Sequence, residues 1–273
     1  MKNFLSFAEK IAESAGKKLL QNFRKENTFT RGTPKEVKSL YDKIADDIIK
    51  RALEKNYKNH SYLTEETGLI QKNNDLLWII DPLDGTGNFV NGNPFFSVSI
   101  ALWIKGEPII SVIEAPALQE RYIAKKNEGA WIYDLKTGKK RKAQVSRNTK
   151  IEKSYFIFCE GGIKNKAEML PFINDYYPRT KDMRKLGSAS LELAWVGAGR
   201  SESYATFAIS IWDIAAGILF VKEAGGEIFD FKLKKYNFKD LLKIEEIDMI
   251  ATNGYIKMKP KNHSKFSTSS ISI

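Results

Sequence analysis

The residues best suited to chemistry lie in one short segment, where the predicted strand Leu76–Ile80 runs into Asp81-Pro82-Leu83-Asp84-Gly85-Thr86. Two carboxylates three residues apart, joined by a proline-fixed turn, can converge on one cation together with the Leu83 carbonyl between them. Hard divalent ions such as Mg²⁺ prefer this all-oxygen environment. Gly85-Thr86-Gly87 then offers backbone N–H groups at an expected helix start, which suits a phosphate group.

Two further acidic elements occupy comparable positions. Glu65-Glu66 follows the strand that precedes the Asp81 strand, and Asp213 opens a helix directly behind Trp212. Each has an ordinary structural explanation, because Asp caps helices, Glu pairs lie in solvated loops, and Asp-Pro and Asp-Gly form turns. Taken separately, none of these elements decides between a structural and a catalytic role.

The composition leaves the carboxylates as the main candidates for catalysis. A single cysteine, Cys159, excludes a disulfide framework and a Cys-based zinc site. Two histidines, His60 and His263, leave little room for a histidine-based metal site or catalytic triad.

The hydrophobic pattern predicts helices and strands that alternate along the chain. An apolar stripe at helical spacing marks a first helix within residues 1–24, and a polar loop follows at 25–36. The later elements are a helix over 40–57, a strand over 61–64, an antiparallel meander over 95–145, a strand over 155–158, helices over 164–176 and 188–196, and a last helix that starts near Asp213 and ends at Gly225-Gly226.

The net charge of +11 suggests an attraction to anions. Residues 136–150 hold seven basic residues and no acidic ones, a run typical of a solvated hairpin tip or of a docking surface for a polyanion. No apolar stretch approaches the ~20 residues of a membrane span, so we expect a cytoplasmic protein with no membrane partner. The Ser- and Lys-rich residues 261–273 are predicted to form a flexible tail.

Four ordered segments resemble the inositol monophosphatase family. DPLDGTGNF at 81–89 and IWDIAAGILFVKEAGG at 211–226 are similar to its two signature motifs. HSYLTEE at 60–66 and MRKLGSASLELAWVGAGR at 183–200 resemble two further family segments. Because four blocks occur in the same order, the resemblance is far more specific than any single motif.

The resemblance implies a role for each matched residue. Glu65, Asp81 and the Leu83 carbonyl would bind an activating Mg²⁺, and Asp81 would bridge to a second ion completed by Asp84 and Asp213. Thr86 would position the attacking water, with Glu65 and Asp42 as its catalytic partners. Substrate contacts are implied for Asp84, Gly85, Thr86, Gly187, Ser188, Ala189 and Asp213.

The resemblance also implies an α/β (α+β) fold, a layered αβαβα sandwich with the site between two lobes. Residues 1–260 would form one domain, with lobes at about 1–150 and 151–260. Two or three Mg²⁺ ions would serve as cofactors, and the protein would form a homodimer.

The chain departs from the family pattern mainly at positions that concern the substrate. Gly87 stands where a second threonine is usual, and Thr206 stands where many members carry a glutamate that binds ring hydroxyls. Arg31 replaces a common lysine, and Lys38 falls in a segment that is normally apolar. The metal ligands are intact, so metal-dependent catalysis is more strongly predicted than inositol specificity.

The expected reaction is Mg²⁺-dependent hydrolysis of a small sugar or polyol phosphate monoester. Inositol 1-phosphate is the leading substrate, and fructose 1,6-bisphosphate is the nearest rival. Adenosine 3′,5′-bisphosphate is less favoured, because related nucleotidases usually carry a charged pair where this chain has Gly87-Asn88. A hypothesis from another class is an RNA- or ribonucleoprotein-binding module that uses the basic run at 136–150.

Overall fold

The computed structural model describes residues 4–25, 29–31, 37–72, 75–161 and 166–258. The helices are α1 (Phe4–Asn22), α2 (Leu40–Asn56), α3 (Thr86–Val90), α4 (Lys166–Tyr176), α5 (Ala189–Gly197), α6 (Ile211–Glu223) and α7 (Phe238–Leu241). The strands are β1 (Phe29–Arg31), β2 (Val37–Ser39), β3 (Ser61–Thr64), β4 (Gly68–Ile70), β5 (Leu76–Asp84), β6 (Ser97–Ile104), β7 (Glu107–Ala115), β8 (Glu120–Lys125), β9 (Gly129–Asp134), β10 (Lys140–Lys142), β11 (Tyr155–Cys159), β12 (Asp182–Arg184), β13 (Ser203–Ile209), β14 (Glu227–Phe229) and β15 (Ile247–Thr252).

Two large sheets organise the described residues. The first has eight strands in the order β10-β9-β8-β7-β6-β5-β3-β4, and β5 to β10 form an antiparallel meander. The second has five strands in the order β12-β11-β13-β15-β14. In the first sheet β3 runs parallel to β5, so the carboxyl ends of these two strands lie at the same edge.

Helices separate and cover the two sheets in layers. α1 and α2 pack on one face of the eight-stranded sheet, and α6 packs across its other face. α5 lies against α6 and the five-stranded sheet, and α4 packs on the far side of that sheet. The sequence of layers is therefore helix, sheet, helix, sheet, helix, which confirms the predicted αβαβα architecture.

The helix sequences match the layers in which the helices lie. α1 buries one stripe, with Ala8, Ile11, Ala15 and Leu19 against the sheet, and keeps its lysines on the other side. α5 and α6 are apolar on nearly all sides, because each is enclosed by other elements on both faces. One continuous apolar core includes residues of both large sheets, from Ile79 in β5 to Met249 in β15.

Several element boundaries differ from the sequence-based expectation. The strand predicted to stop at Asp81 continues to Asp84 with a register shift between these residues, because a bulge accommodates Pro82, which has no N–H to donate. α6 begins at Ile211, two residues before Asp213. The basic hairpin tip contains a true edge strand, β10, and part of the expected loop at 25–36 forms β1.

Some expectations concern residues outside the described ranges. The predicted tail at 261–273, the start of the helix at 164 and the loop residues 32–36 are among them. The division into lobes at about 1–150 and 151–260 stays a prediction. No helix in the described part of the chain is long and apolar enough to cross a bilayer.

Candidate metal and phosphate site

The parallel pair β3 and β5 brings the first acidic residues together. The Glu65 N–H donates to the Ile80 carbonyl at 3.3 Å, which continues the β3–β5 pairing by one residue beyond Thr64. Glu65 and Asp81 therefore leave neighbouring strands at the same edge of the sheet. A side chain of Glu65 in this position repels Asp81 and helps to raise its pKa.

The bulge at the end of β5 gives Asp81 and Asp84 their relative placement. Asp81 lies opposite Ser99 and Asp84 lies opposite Ser97, so two residues of β5 stand opposite one residue of β6, and β5 carries one extra residue. The Leu83 N–H donates back to Asp81 Oδ1 at 2.9 Å, which closes the turn. The sequence predicted this turn correctly, although it placed the end of the strand too early.

Asp213 joins the two aspartates from the opposite layer. Carboxylate oxygens of Asp81, Asp84 and Asp213 all lie within 4.8 Å of one another. Asp213 also caps α6, because its Oδ2 accepts the Ser210 N–H at 3.2 Å. The structural explanation of this residue as a helix cap is therefore correct, and its position beside Asp81 and Asp84 is compatible with the predicted role in metal binding. Glu65 is not part of the 4.8 Å group and acts on it through charge.

Asp84 is held by a dense set of donors from the start of α5. Its Oδ2 accepts the Ser188 hydroxyl at 2.6 Å, the Ser190 N–H at 2.8 Å and the Ser190 hydroxyl. Its Oδ1 accepts the Ala189 N–H at 3.1 Å. Burial raises the pKa of Asp84, and these donors from Ser188, Ser190 and Ala189 oppose that shift by stabilising the anion.

Asp81 lies in a contrasting environment. It is completely buried, and its Oδ2 has no hydrogen-bond partner among the described residues. Burial raises the pKa of Asp81 well above its usual range, and repulsion from Glu65, Asp84 and Asp213 adds to the shift. A buried acceptor beside other carboxylates is costly unless a cation or proton neutralises it, so this oxygen set fits a hard divalent cation.

Thr86 connects this cluster to α2. Its Oγ1 lies 2.7 Å from Asp42 Oδ1 and 3.0 Å from the Leu83 carbonyl oxygen, so its single proton has two alternative acceptors. Asp42 is buried although it belongs to the first turn of α2. The pairing of Asp42 with Thr86, predicted across 44 positions of sequence, is present in the structure.

Gly85 has a conformation that its position requires. Its φ of 90° lies in the left-handed region, and a Cβ would stand 3.0 Å from the Phe95 carbonyl oxygen and 3.1 Å from the Gly187 carbonyl oxygen. The close approach of Gly187 joins the turn after β5 to the segment before α5. Gly85 then leads into α3, where the sequence predicted a phosphate cradle.

The predicted substrate segment at 187–189 lies beside Asp84, and neighbouring residues that the sequence pattern missed extend it. Ser190 and Ser97 bond to each other at 2.7 Å, and Ser190 also bonds to Asp84. Glu192 accepts N–H groups of this segment and is fully buried, and burial raises its pKa to about 8. Ser188 lies at the N-cap position of α5, but its hydroxyl donates to Asp84 and does not cap the helix.

Two residues outside the cluster concern substrate and reactivity. Thr206 is completely buried, and its hydroxyl has no hydrogen-bond partner within the described ranges. Cys159 is partly buried, and burial raises the pKa of its thiol to about 12, so it is a poor nucleophile at neutral pH.

Known proteins resemble this chain in sequence and in fold. The sequence model of the inositol monophosphatase family matches residues 1–269. A fructose-1,6-bisphosphatase/inositol-1-monophosphatase of Thermotoga maritima is 37% identical over 235 residues, which cover 85% of this chain and 87% of that protein. The Nus factor SuhB of Pasteurella multocida is 34% identical over 239 residues, which cover 85% of this chain and 86% of that protein.

A solved structure agrees with these sequence matches. The extragenic suppressor protein SuhB from Bartonella henselae superposes with a TM-score of 0.84 at 30% identity and covers 92% of this chain and 94% of that one. The chain belongs to the inositol monophosphatase family of phosphoric monoester hydrolases.

Proposed function

We propose that this protein hydrolyses a small sugar or polyol phosphate monoester with Mg²⁺ as cofactor. Inositol 1-phosphate is the leading substrate, and fructose 1,6-bisphosphate is the nearest rival. The observation that carries the proposal is the buried, unpartnered Asp81 Oδ2 inside a group of three converging carboxylates. The Thermotoga maritima relative is named for both substrates, which supports this pair of candidates.

The proposed ligands are those that the family resemblance implies, and the convergence of Asp81, Asp84 and Asp213 supports them. Glu65, Asp81 and the Leu83 carbonyl would hold one ion, and Asp81, Asp84 and Asp213 would hold a second, with two or three ions in all. Bound Mg²⁺ supplies Lewis acidity, which lowers the pKa of a bound water and neutralises charge as the ester bond breaks.

The residues of the chain orient the reactants around that centre. Thr86 donates its proton to Asp42 or to the Leu83 carbonyl, so its oxygen remains an acceptor for a proton of the attacking water. Asp42 is buried, so its acceptor position is fixed by α2. Thr86 and Asp42 therefore orient the water rather than form a covalent intermediate.

The substrate would approach between Asp84, Gly85, Thr86 and Asp213 on one side and Gly187, Ser188 and Ala189 on the other. A Cβ at Gly87 would meet no atom within 4 Å, so packing does not require glycine there. Gly87 thus leaves space beside the predicted phosphate position. Assembly into a homodimer stays a prediction.

The first experiment measures phosphate release with and without Mg²⁺. The panel contains inositol 1-phosphate, fructose 1,6-bisphosphate, adenosine 3′,5′-bisphosphate and NADP. We expect metal-dependent release that favours inositol 1-phosphate or fructose 1,6-bisphosphate. A folded protein that is silent on all four compounds with Mg²⁺ would contradict the proposal.

A second candidate function is binding of single-stranded RNA along β10. All three residues of this edge strand, Lys140, Arg141 and Lys142, are exposed, and none of them forms a salt bridge within the described residues. The Lys140 ammonium lies 4.6 Å from the centre of the Trp131 ring, so cations and an aromatic face occur together. Three adjacent exposed cations suit the phosphate backbone of a nucleic acid, and the Pasteurella multocida relative is named a Nus factor.

RNA binding is tested with a triple variant, Lys140→Gln, Arg141→Gln and Lys142→Gln. A control removes the same charge from the exposed residues Lys10, Lys232 and Lys234. We expect the β10 variant alone to lose salt-sensitive binding of a single-stranded oligonucleotide, with phosphatase activity retained. Equal binding by both variants would remove this candidate.

A further inference from the structure

The segment from Leu186 to Ser190 carries the donors that hold Asp84. Ser188, Ala189 and Ser190 all donate to that carboxylate, and both nitrogen donors belong to the first turn of α5. The directions of these donor groups depend on the backbone conformation of the residues that precede α5. The peptide group between Leu186 and Gly187 is therefore the point at which the position of these donors is set.

That peptide group forms hydrogen bonds on two sides, with Asn88 and with Glu192, and we call these bonds the clamp. Its carbonyl oxygen, from Leu186, accepts a hydrogen bond from Asn88 Nδ2 at 2.7 Å. Its N–H, from Gly187, donates to Glu192 Oε1 at 2.9 Å, and the same oxygen accepts the Leu186 N–H at 2.8 Å. Asn88 belongs to α3 and Glu192 to α5, so the clamp connects the turn after β5 with the second half of the site.

Gly187 makes this clamp necessary. Its φ of 86° lies in the left-handed region, where a single glycine has many alternative conformations in the absence of restraints. A Cβ at this position would stand 3.1 Å from Asn88 Nδ2, so the turn is also closely packed. Hydrogen bonds to the flanking N–H groups select one conformation out of these alternatives.

Packing alone does not explain a carboxyl group at position 192. The side chain is completely buried, and its Oε2 has no hydrogen-bond partner in the described part of the chain. Burying a carboxyl group with one unpaired oxygen costs free energy that an apolar side chain would avoid. The hydrogen bonds that Oε1 accepts from the N–H groups of Leu186 and Gly187 offset this cost.

We propose that Glu192 is a positioning residue of the metal site, which holds the Leu186–Gly187 peptide so that the donors of Ser188, Ala189 and Ser190 face Asp84. This inference rests on the proposed function, since it concerns the affinity of the carboxylate cluster for a divalent cation. Without the clamp, Asp84 loses the donors that fix its orientation, and the cation loses a fixed ligand.

The test compares binding of Mg²⁺ itself, measured by titration calorimetry and by the Mg²⁺-dependent rise in Tm. Glu192→Gln keeps a carbonyl acceptor and should bind Mg²⁺ with nearly the affinity of the wild type. Glu192→Leu removes the acceptor and should weaken Mg²⁺ binding by about 10- to 100-fold, the range seen when a group that orients a ligand is lost.

Glu202 provides a matched control. It is also a buried glutamate that accepts a backbone N–H, from Tyr155 at 2.7 Å, and the N–H it accepts belongs to a strand of the five-stranded sheet. Glu202→Leu should lower Tm, as Glu192→Leu does, and leave the Mg²⁺ dissociation constant unchanged. Equal effects of both Leu variants on Mg²⁺ affinity would assign Glu192 a purely structural role and overturn the inference.

A milder variant covers the case in which Glu192→Leu does not fold. Glu192→Asp keeps the carboxyl group and shortens its reach by one methylene, so it should also weaken Mg²⁺ binding. Wild-type affinity in a folded Glu192→Asp or Glu192→Leu protein would overturn the inference and leave the proposed function intact. Absence of Mg²⁺ binding by the wild type would instead overturn both.

Discussion

The two sides of the carboxylate site have opposite hydrogen-bonding character. On the side of the eight-stranded sheet, Asp81 presents a buried oxygen with no partner among the described residues. On the α5 side, Ser188, Ala189 and Ser190 supply donors that occupy both oxygens of Asp84. The protein thus holds both oxygens of Asp84 by its own donors and leaves Oδ2 of Asp81 without one.

This difference indicates that the two carboxylates have different roles in the site. A carboxylate that already accepts several N–H and O–H groups keeps its orientation when the ligand leaves. A buried carboxylate with one oxygen that accepts no hydrogen bond, such as Asp81, contributes negative charge that a ligand or a proton must neutralise. Substitutions on the two sides should therefore have similar effects on catalysis and different effects on the stability of the metal-free protein.

The largest expected effect is the loss of turnover in Asp84→Asn and in Asp81→Asn. Each removes one negative charge from the proposed ligand set, so activity should fall by about a thousandfold or more, since several kcal/mol of charge stabilisation are lost. Phosphate release at saturating Mg²⁺ measures it. Full activity in a folded Asp84→Asn protein would show that the ligand assignment is wrong.

The next effect concerns Thr86. Thr86→Val removes the hydroxyl that lies 2.7 Å from Asp42 and should lower kcat by about a hundredfold, the lower end of the range for groups that handle a reacting proton. Thr86→Ser keeps the hydroxyl and serves as the control. The same kcat in Thr86→Val and Thr86→Ser would exclude Thr86 from orienting the water.

In the absence of metal, Asp81→Asn and Asp84→Asn should change the free energy of unfolding in opposite directions. Asp81→Asn relieves buried repulsion and keeps an oxygen for the Leu83 N–H, so unfolding in EDTA should require more free energy than in the wild type. Asp84→Asn places an NH₂ group against N–H and O–H donors and should lower stability by about 1.5–3 kcal/mol. Thermal and denaturant unfolding of both variants provides the measurement.

Changes of the same sign in the unfolding free energies of Asp81→Asn and Asp84→Asn would contradict the contrast between these two carboxylates. If Asp81→Asn were destabilising to the same degree as Asp84→Asn, the Asp81 side chain would have protein partners as strong as those of Asp84. If both were stabilising, the donors around Asp84 would contribute little to holding it.

The smallest expected effect is the change of the free energy of unfolding of the metal-free protein with pH. Burial raises the pKa of Asp81 above its value in the unfolded chain, so the folded state holds the proton more tightly. Stability of the metal-free protein should therefore fall as pH rises from the usual aspartate range through the raised pKa, by at most about 1.4 kcal/mol per pH unit for this group.

Asp81→Asn is the control for this pH dependence, because it lacks the titrating group. Its unfolding free energy in EDTA should change less steeply with pH than that of the wild type. Parallel curves for the two proteins would mean that Asp81 does not titrate differently in the folded state.

The local chemistry could be predicted from the sequence because it is encoded in short spacings. Asp81 to Thr86 form a turn whose residue types indicate convergent oxygens, and the structure places Asp81 and Asp84 within reach of Asp213. The contact of Thr86 with Asp42 was expected only through the family resemblance. Neither periodicity nor spacing indicates that the first turn of α2 meets the first residue of α3.

The grip on Asp84 could not be predicted in this way. Ser188 to Ser190 are separated from Asp84 by more than 100 positions and meet it only because α5 packs between the two sheets. Hydrophobic periodicity states which face of a helix is buried, and it does not state which strand end that helix approaches. The continuation of β5 past Pro82 was missed for a related reason, since the bulge depends on the pairing with β6.

The most direct test of the account is anomalous diffraction from crystals grown with Mn²⁺ in place of Mg²⁺. The account predicts a peak within ligand distance of Asp81 Oδ2, shared with Asp84 and Asp213, and its loss in Asp81→Asn crystals. Absence of a peak at this cluster in wild-type crystals saturated with the ion, or a peak that persists in Asp81→Asn, would contradict the central claim.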